Sequence, residues 1–266
     1  ETLIRMNLTQ GVHHISFQGI GKQALAIGFK MGVRVLNLLN ADARALRDAR
    51  TDEESTLRDT WMFFGRNASH GHRDTLNIGV HGFGLDLSPD LGYPEYADNV
   101  DMHRAQWVVN TISHNTVNVD ARKQIENLWA ADPKHFDQTD LVKLIDVESP
   151  DVYTQTSLYK RTTAMIKADD VNSYTVDLFR VKGGNDHYFS FHGAEGTVTT
   201  EGINLTAQPT GTYAGADVPY GQRVDDIAGP LYMGSGFHYL KNVERDTSPT
   251  NQFSIDWNVK DTWNVY

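Results

Sequence analysis

Cysteine is absent from the 266 residues. This excludes a disulfide scaffold, thiolate metal ligation and a cysteine nucleophile, while leaving the compartment open. Long apolar runs are also missing. No uninterrupted stretch approaches the roughly 18 residues that a membrane-spanning helix needs, so no membrane span is expected. Basic charge is scarce, with 24 Lys and Arg against 34 Asp and Glu and a net charge of −10. That balance argues against general nucleic-acid binding, though a small basic pocket for an anionic ligand is still allowed. There is no His-Glu-x-x-His, Gly-x-Ser-x-Gly or glycine-rich phosphate loop, no internal repeat and no low-complexity tract. The sequence opens at Glu1 without a signal peptide, as expected of a processed or truncated product.

Core material is ample, with 11 Phe, 11 Tyr and 5 Trp, and 22% charged residues is ordinary for a folded chain. Residues 1–56 form a lead-in that is expected to be partly helical. Stretches 24–29 and 33–36 read either as short strands or as one Gly-broken apolar helix. Residues 40–47 read as a helix with Asn40 as N-cap. From residue 57 to 266 the period becomes two, with strands expected at 61–64, 76–80, 116–119, 141–145, 162–167, 174–181, 187–192 and 253–257. Residues 168–170 and 182–186 carry hairpin-turn chemistry. Strands at this spacing without intervening helices predict an antiparallel sandwich or barrel, most simply one large β domain. Residues 201–236, rich in Gly, Pro, Thr and Asp, are expected to form a long irregular excursion, a feature that is often functional.

The chemistry concentrates between Arg66 and Asp120. Ser69-His70-Gly71-His72-Arg73-Asp74 is followed by Ser88-Pro89-Asp90-Leu91-Gly92-Tyr93 and then by Ser113-His114-Asn115-Thr116-Val117. On an extended segment, His-x-His places both imidazoles on one face. Two imidazoles with a carboxylate and a further His suit zinc and admit other divalent metals. His13, His14, His135 and His238 read as ordinary polar residues. A cupin also uses His-x-His, and His114 to Asn118 has the cupin spacing. However, residues 75–84 lack the Glu that a cupin needs, and the Pro-x-Gly before the second cupin His is missing.

Together these residues resemble the metal-binding core of the heparinase II/III-like polysaccharide lyases. The likeness rests on His70-Gly71-His72-x-Asp74, Gly82-Phe83-Gly84, Pro89-Asp90-Leu91-Gly92-Tyr93 and Ser113-His114-Asn115-Thr116-Val117. It continues through Tyr159-Lys160-Arg161-Thr162, Val176-Asp177-Leu178-Phe179-Arg180-Val181 and Gly183-Gly184, covering residues 57–195.

The resemblance implies a large antiparallel β-sandwich that normally follows an N-terminal α/α-toroid, which this chain lacks. It implies a metal, usually zinc and less often Ca²⁺ or another divalent ion, on His72, Asp90 and His114. His70 would then be a catalytic residue facing the cleft. The implied reaction is β-elimination at a uronic acid unit of an anionic polysaccharide, in which imidazole suits the proton transfer. Tyr93 and Tyr96 are candidates for the complementary acid or base. Arg66, Arg73 and Arg104 are candidates to pair with carboxylate or sulfate. Much of the family's catalytic apparatus lies in the toroid, so this chain would present half of a cleft completed by further polypeptide or a companion chain. The family also implies a secreted or periplasmic location. Two other function classes are a carbohydrate-binding or structural sandwich with a stabilising metal, and a cupin-like metalloenzyme.

Overall fold

The computed structural model describes residues 58–82, 85–92, 102–169, 172–225, 232–250 and 252–259. Within them the chain is mainly antiparallel β-structure, as the period-two patterning predicts. Strand β1 (Arg58–Met62) pairs with β2 (Ile78–Gly82), which pairs with β3 (Leu85–Asp86). After β4 (Val117–Val119) comes a four-stranded sheet in sequential order: β5 (Asp132–Gln138), β6 (Val142–Glu148), β7 (Thr156–Lys167) and β8 (Ser173–Gly183). Strand β9 (His187–Phe189) returns to pair with β4. The ribbons β10 (Gly196–Glu201), β11 (Thr206–Ala207), β12 (Glu244–Arg245) and β13 (Ser254–Val259) pair as β10 with β13 and β11 with β12. No helix among the described residues is long and apolar enough to cross a membrane.

The sandwich core lies where the four-stranded sheet meets β1, β2 and β4. Met62, Leu76 and Ile78 pack there with Val117, Val119, Val147 and Tyr159, flanked by Phe64, Ile145 and Phe179. Alternation along β7 explains the layer, because Tyr159, Arg161 and Thr163 point inward while their neighbours point out. Tyr159 meets Phe179 edge-on at 4.8 Å, and its hydroxyl donates to the Val117 carbonyl at 2.6 Å. Burying a side chain of this size contributes about 1.5–3 kcal/mol.

Arg161 is the polar member of that core, 0% exposed. It grips Asp177 through Nε and Nη2, both at 2.8 Å, and donates through Nη1 to the carbonyls of Leu76, at 2.7 Å, and Asn115. Both acceptors belong to loops that carry the residues of the site.

The hairpin turn between β7 and β8 falls where turn chemistry predicts it, whereas residues 182–186, expected as a hairpin connection, join β8 to β9, which pairs with β4 instead. Asp169 accepts the Asn172 amide between β7 and β8. Gly183 and Gly184 have φ of 102° and 76° between β8 and β9, and a Cβ on Gly184 would lie 2.4 Å from Val119. Residues 202–225 are irregular apart from β11, also as expected.

Some boundaries differ from expectation. The strand expected from residue 76 begins at Ile78, because Leu76 has φ of 66° and cannot continue a ladder. The strand expected to reach His192 ends at Phe189, where the backbone instead bonds to Thr116 and Asn115. Strand β5, Asp-Pro-Lys-His-Phe-Asp-Gln, is an exposed edge. It shows no apolar alternation because charge and proline suit an unpaired edge better. The helix expected at 40–47 and the readings at 24–36 lie outside the described residues.

Candidate functional site

Residues 66–77 do not run as an extended strand. Ser69 has φ of 60°, and Gly71 N–H donates to the Ala68 carbonyl at 3.1 Å, closing a turn that separates the two imidazoles. His70 is exposed at the tip of this turn, whereas His72 points inward. The turn is held from below. Buried Arg73 donates to the carbonyls of Gly71, at 2.9 Å, and Asn67, and pairs with Glu126. The Gln124 side-chain carbonyl accepts Thr75 N–H at 2.9 Å, and Thr111 Oγ1 donates to the Arg73 carbonyl at 2.7 Å. Arg73, expected to face a substrate, is thus committed beneath the loop.

His114 follows a single 3₁₀ turn, Thr111–Ser113, capped by Asn110. Its Nδ1–H donates to the Asn110 carbonyl at 2.7 Å, which turns Nε2 toward the cluster. Asp90 sits in a turn in which Gly92 N–H donates to its Oδ1 at 2.8 Å.

These three segments converge. His72 Nδ1 and His114 Nε2 are 2.9 Å apart, Asp90 Oδ1 is 3.5 Å from His72 Nδ1, and Asp90 Oδ2 is 3.3 Å from His114 Nε2. A tetrahedral ion with bonds of about 2.0–2.1 Å separates its donor atoms by roughly 3.3 Å, so the spacing suits a small tetrahedral metal ion. Buried Asp74 joins them, and all four donor groups lie within 4.8 Å of one another. Sequence reasoning did not single out Asp74 as a ligand. The signal was its position two residues beyond His72 in His70-Gly71-His72-x-Asp74.

Electrostatics prepare the same donors. Burial, then His114, lowers the His72 pKa to about 4, so this imidazole is neutral and free to ligate at physiological pH. Burial also opposes charge on His114, but the hydrogen bond to Asp90, the charges of Asp74 and Asp90 and the Asn110 carbonyl together outweigh it and raise its pKa. Burial opposes ionisation of Asp90 too, yet the hydrogen bonds from His114 and Gly92 and the charges of the two histidines together hold the carboxylate well below the usual range.

Arg104 opens a π-helical turn, Arg104–Val108, and its charge is felt at His72. Such turns are rare and occur often at functional sites. Lys123 is buried behind this turn and donates to the Ala105 carbonyl at 3.3 Å. Burial, with Arg73 adding repulsion, lowers its pKa to about 7. A chain of net negative charge therefore gathers cations around the cluster. Arg66 is half-buried in the irregular segment that leads from β1 into the turn. Tyr93 and Tyr96 lie outside the described residues.

Residues 62–226 match the family model described as heparinase II/III-like, C-terminal, which is more than half of the chain. The chain belongs to the heparinase II/III-like family. Similar solved structures include heparan sulfate lyase HepC from Pedobacter heparinus, with 17% identity over 47% of this chain and 18% of that one, TM-score 0.40. The heparinase III BT4657 gene product gives 18% identity over 57% and 24%, TM-score 0.45. Another heparinase III structure gives 19% over 59% and 25%, TM-score 0.41. The chain thus spans about a quarter or less of the length of these heparinase-like structures. No curated protein matches it in sequence.

Proposed function

We propose that this chain is the metal-bearing half of a polysaccharide lyase that cleaves uronic-acid-containing polysaccharide by β-elimination. The observation that carries this reading is the convergence of His72, Asp90 and His114 beside an exposed His70 that the turn keeps apart. Two imidazoles with carboxylates favour zinc over the all-oxygen shell that Ca²⁺ prefers. His72, Asp90 and His114 would hold the ion, with Asp74 as a fourth donor. When bound, it supplies a fixed positive charge that locks three separate segments together.

In the reaction the C5–H bond breaks, a C4=C5 double bond forms and the C4–O4 bond is cleaved, with O4 leaving protonated. His70 is the proton-transfer group at C5, and Arg104 pairs with the uronate carboxylate, making the C5 proton more acidic. Arg66 is assigned to a neighbouring carboxylate or sulfate. The complementary acid at O4 is assigned to Tyr93 or Tyr96, which follow the Asp90 turn in sequence. Arg73 serves by holding the His70 loop.

Both the anionic substrate and an additional α/α-toroid half completing the cleft follow from the family, as does a secreted or periplasmic location. Incubating the chain, with and without an added toroid half, against a panel of uronate polysaccharides tests the reading. It predicts new ultraviolet absorbance from an unsaturated uronate product that disappears in His70→Ala. Zinc binding without any such product would instead favour a carbohydrate-binding sandwich with a structural metal.

A further inference from the structure

Beside the metal cluster, three segments distant in sequence bring aromatic rings together. Trp107 comes from the π-helical turn, Tyr239 from the 3₁₀ turn Phe237–Tyr239, and Tyr220 from the irregular excursion. The Tyr239 ring lies 6.1 Å from Trp107 at a tilt of 37°, and Tyr220 meets it edge-on at 5.4 Å. His103 caps the row, 5.1 Å from Tyr239. Tyr220 is 53% exposed, and Lys241 Nζ stands 5.1 Å from the centre of its ring.

Resting on the lyase reading, we propose that Trp107, Tyr239 and Tyr220, with Lys241, form a binding subsite for an acidic sugar of the polysaccharide beyond the bond that is cleaved. Pyranose rings present flat C–H faces that stack on aromatic rings, and an ammonium beside the stack recognises a carboxylate or sulfate. Two observations favour a ligand over mere packing glue.

The row is continuous with the candidate centre. Trp107 meets His192 at 6.1 Å, His192 bonds to the Ile112 carbonyl, and the Trp107 carbonyl accepts from Ser113, next to His114. The cations also run the same way, from Arg104 on the same turn to Lys241 at the far end.

The row is moreover built to be rigid. His238 Nε2 and Gln106 Oε1 are 2.7 Å apart in the interior, tying the Tyr239 turn to the π-helical turn. Asn110, whose carbonyl orients His114, also donates to the Gly234 carbonyl at 3.1 Å. Gly221, with φ of 76°, donates to the His238 carbonyl at 3.0 Å and so seats Tyr220 against Tyr239. Rings held in place before binding lose little freedom when a sugar arrives.

Calorimetric titration of the zinc-loaded chain with a heparan sulfate octasaccharide tests the subsite, with neutral cello-octaose as control. Tyr220→Ala should weaken octasaccharide binding about tenfold, the size of one lost stacking contact. Lys241→Met should weaken it by about threefold and flatten its salt dependence. Tyr220→Phe should bind like the wild type, and both Tyr220 variants should keep the wild-type melting temperature and zinc content. Wild-type affinity in Tyr220→Ala and Lys241→Met overturns the subsite, as does tight binding of cello-octaose or failure of the wild type to bind the octasaccharide. If binding responds as expected but no unsaturated product forms even with a toroid half added, the lyase reading fails and the subsite stands. If product forms with an unchanged KM in the variants, the subsite fails and the lyase reading stands.

Discussion

Replacing Arg161 by Met should be among the most damaging single changes in the described chain. The methionine fills much of the aliphatic volume but withdraws a charge, the two bonds to Asp177 and the donors to Leu76 and Asn115. Two buried carbonyls lose a partner, and the Asp177 carboxylate, 21% exposed, loses its cation. Breaking such a pair from one side costs about 3–5 kcal/mol, against about 5–15 kcal/mol for the whole stability of a domain. At about 2–4 °C per kcal/mol for a domain of this size, the melting temperature should fall by about 10 °C. Arg161→Lys should fall between, because one ammonium cannot reproduce the two-pronged grip. Adding Asp177→Asn to Arg161→Met should recover part of the loss by removing the stranded charge. Zinc affinity should drop by about tenfold in Arg161→Met, since the orphaned carbonyls flank the loops of His72 and His114. Calorimetric melting of the four proteins checks this. A fall of less than about 2 °C in Arg161→Met, or no recovery in the double variant, would refute the reasoning.

Three further outcomes are expected. Tyr159→Phe removes a hydroxyl that serves Val117, Thr116 and Gln124 and should cost about 1–3 kcal/mol in urea unfolding at unchanged slope. Burial lowers the Lys123 pKa to about 7 in the fold, so between pH 7 and 10 the unfolded chain binds more protons and stability should rise with pH. Lys123→Met should abolish that rise and melt higher than the wild type at pH 7. Zinc must displace the proton that the surroundings of His114 favour, so affinity should weaken steadily as pH falls, beginning above the ordinary imidazole value of about 6.5. Affinity independent of pH from 7.5 to 5 would contradict that assignment.

The parts of the molecule legible in sequence are those written over short distances. Alternation in β7 and β8, the Asp169 and Gly183-Gly184 turns, and the histidine and aspartate motifs each sit within a few residues. Convergence of His72, Asp90 and His114 followed from resemblance alone, and the distances agree with it. What was illegible depends on pairing across long separations. Arg73 reads like a surface arginine until Asn67, Gly71 and Glu126 enclose it. Strand β5 owes its form to β6 and not to its own polar residues. Tyr220 lies in a stretch without periodicity and Tyr239 just beyond it, and contacts such as the buried His238–Gln106 pair, spanning 132 positions, bring them to the π-helical turn.

On the proposed reading, His72 holds the metal and His70, two residues away, does not. Elemental analysis of the purified wild type, His70→Ala, His72→Ala and His114→Ala tests it most directly. One zinc per chain is expected in the wild type and in His70→Ala, with loss in the other two. A wild type without metal, or zinc lost from His70→Ala and retained in His72→Ala, would contradict it.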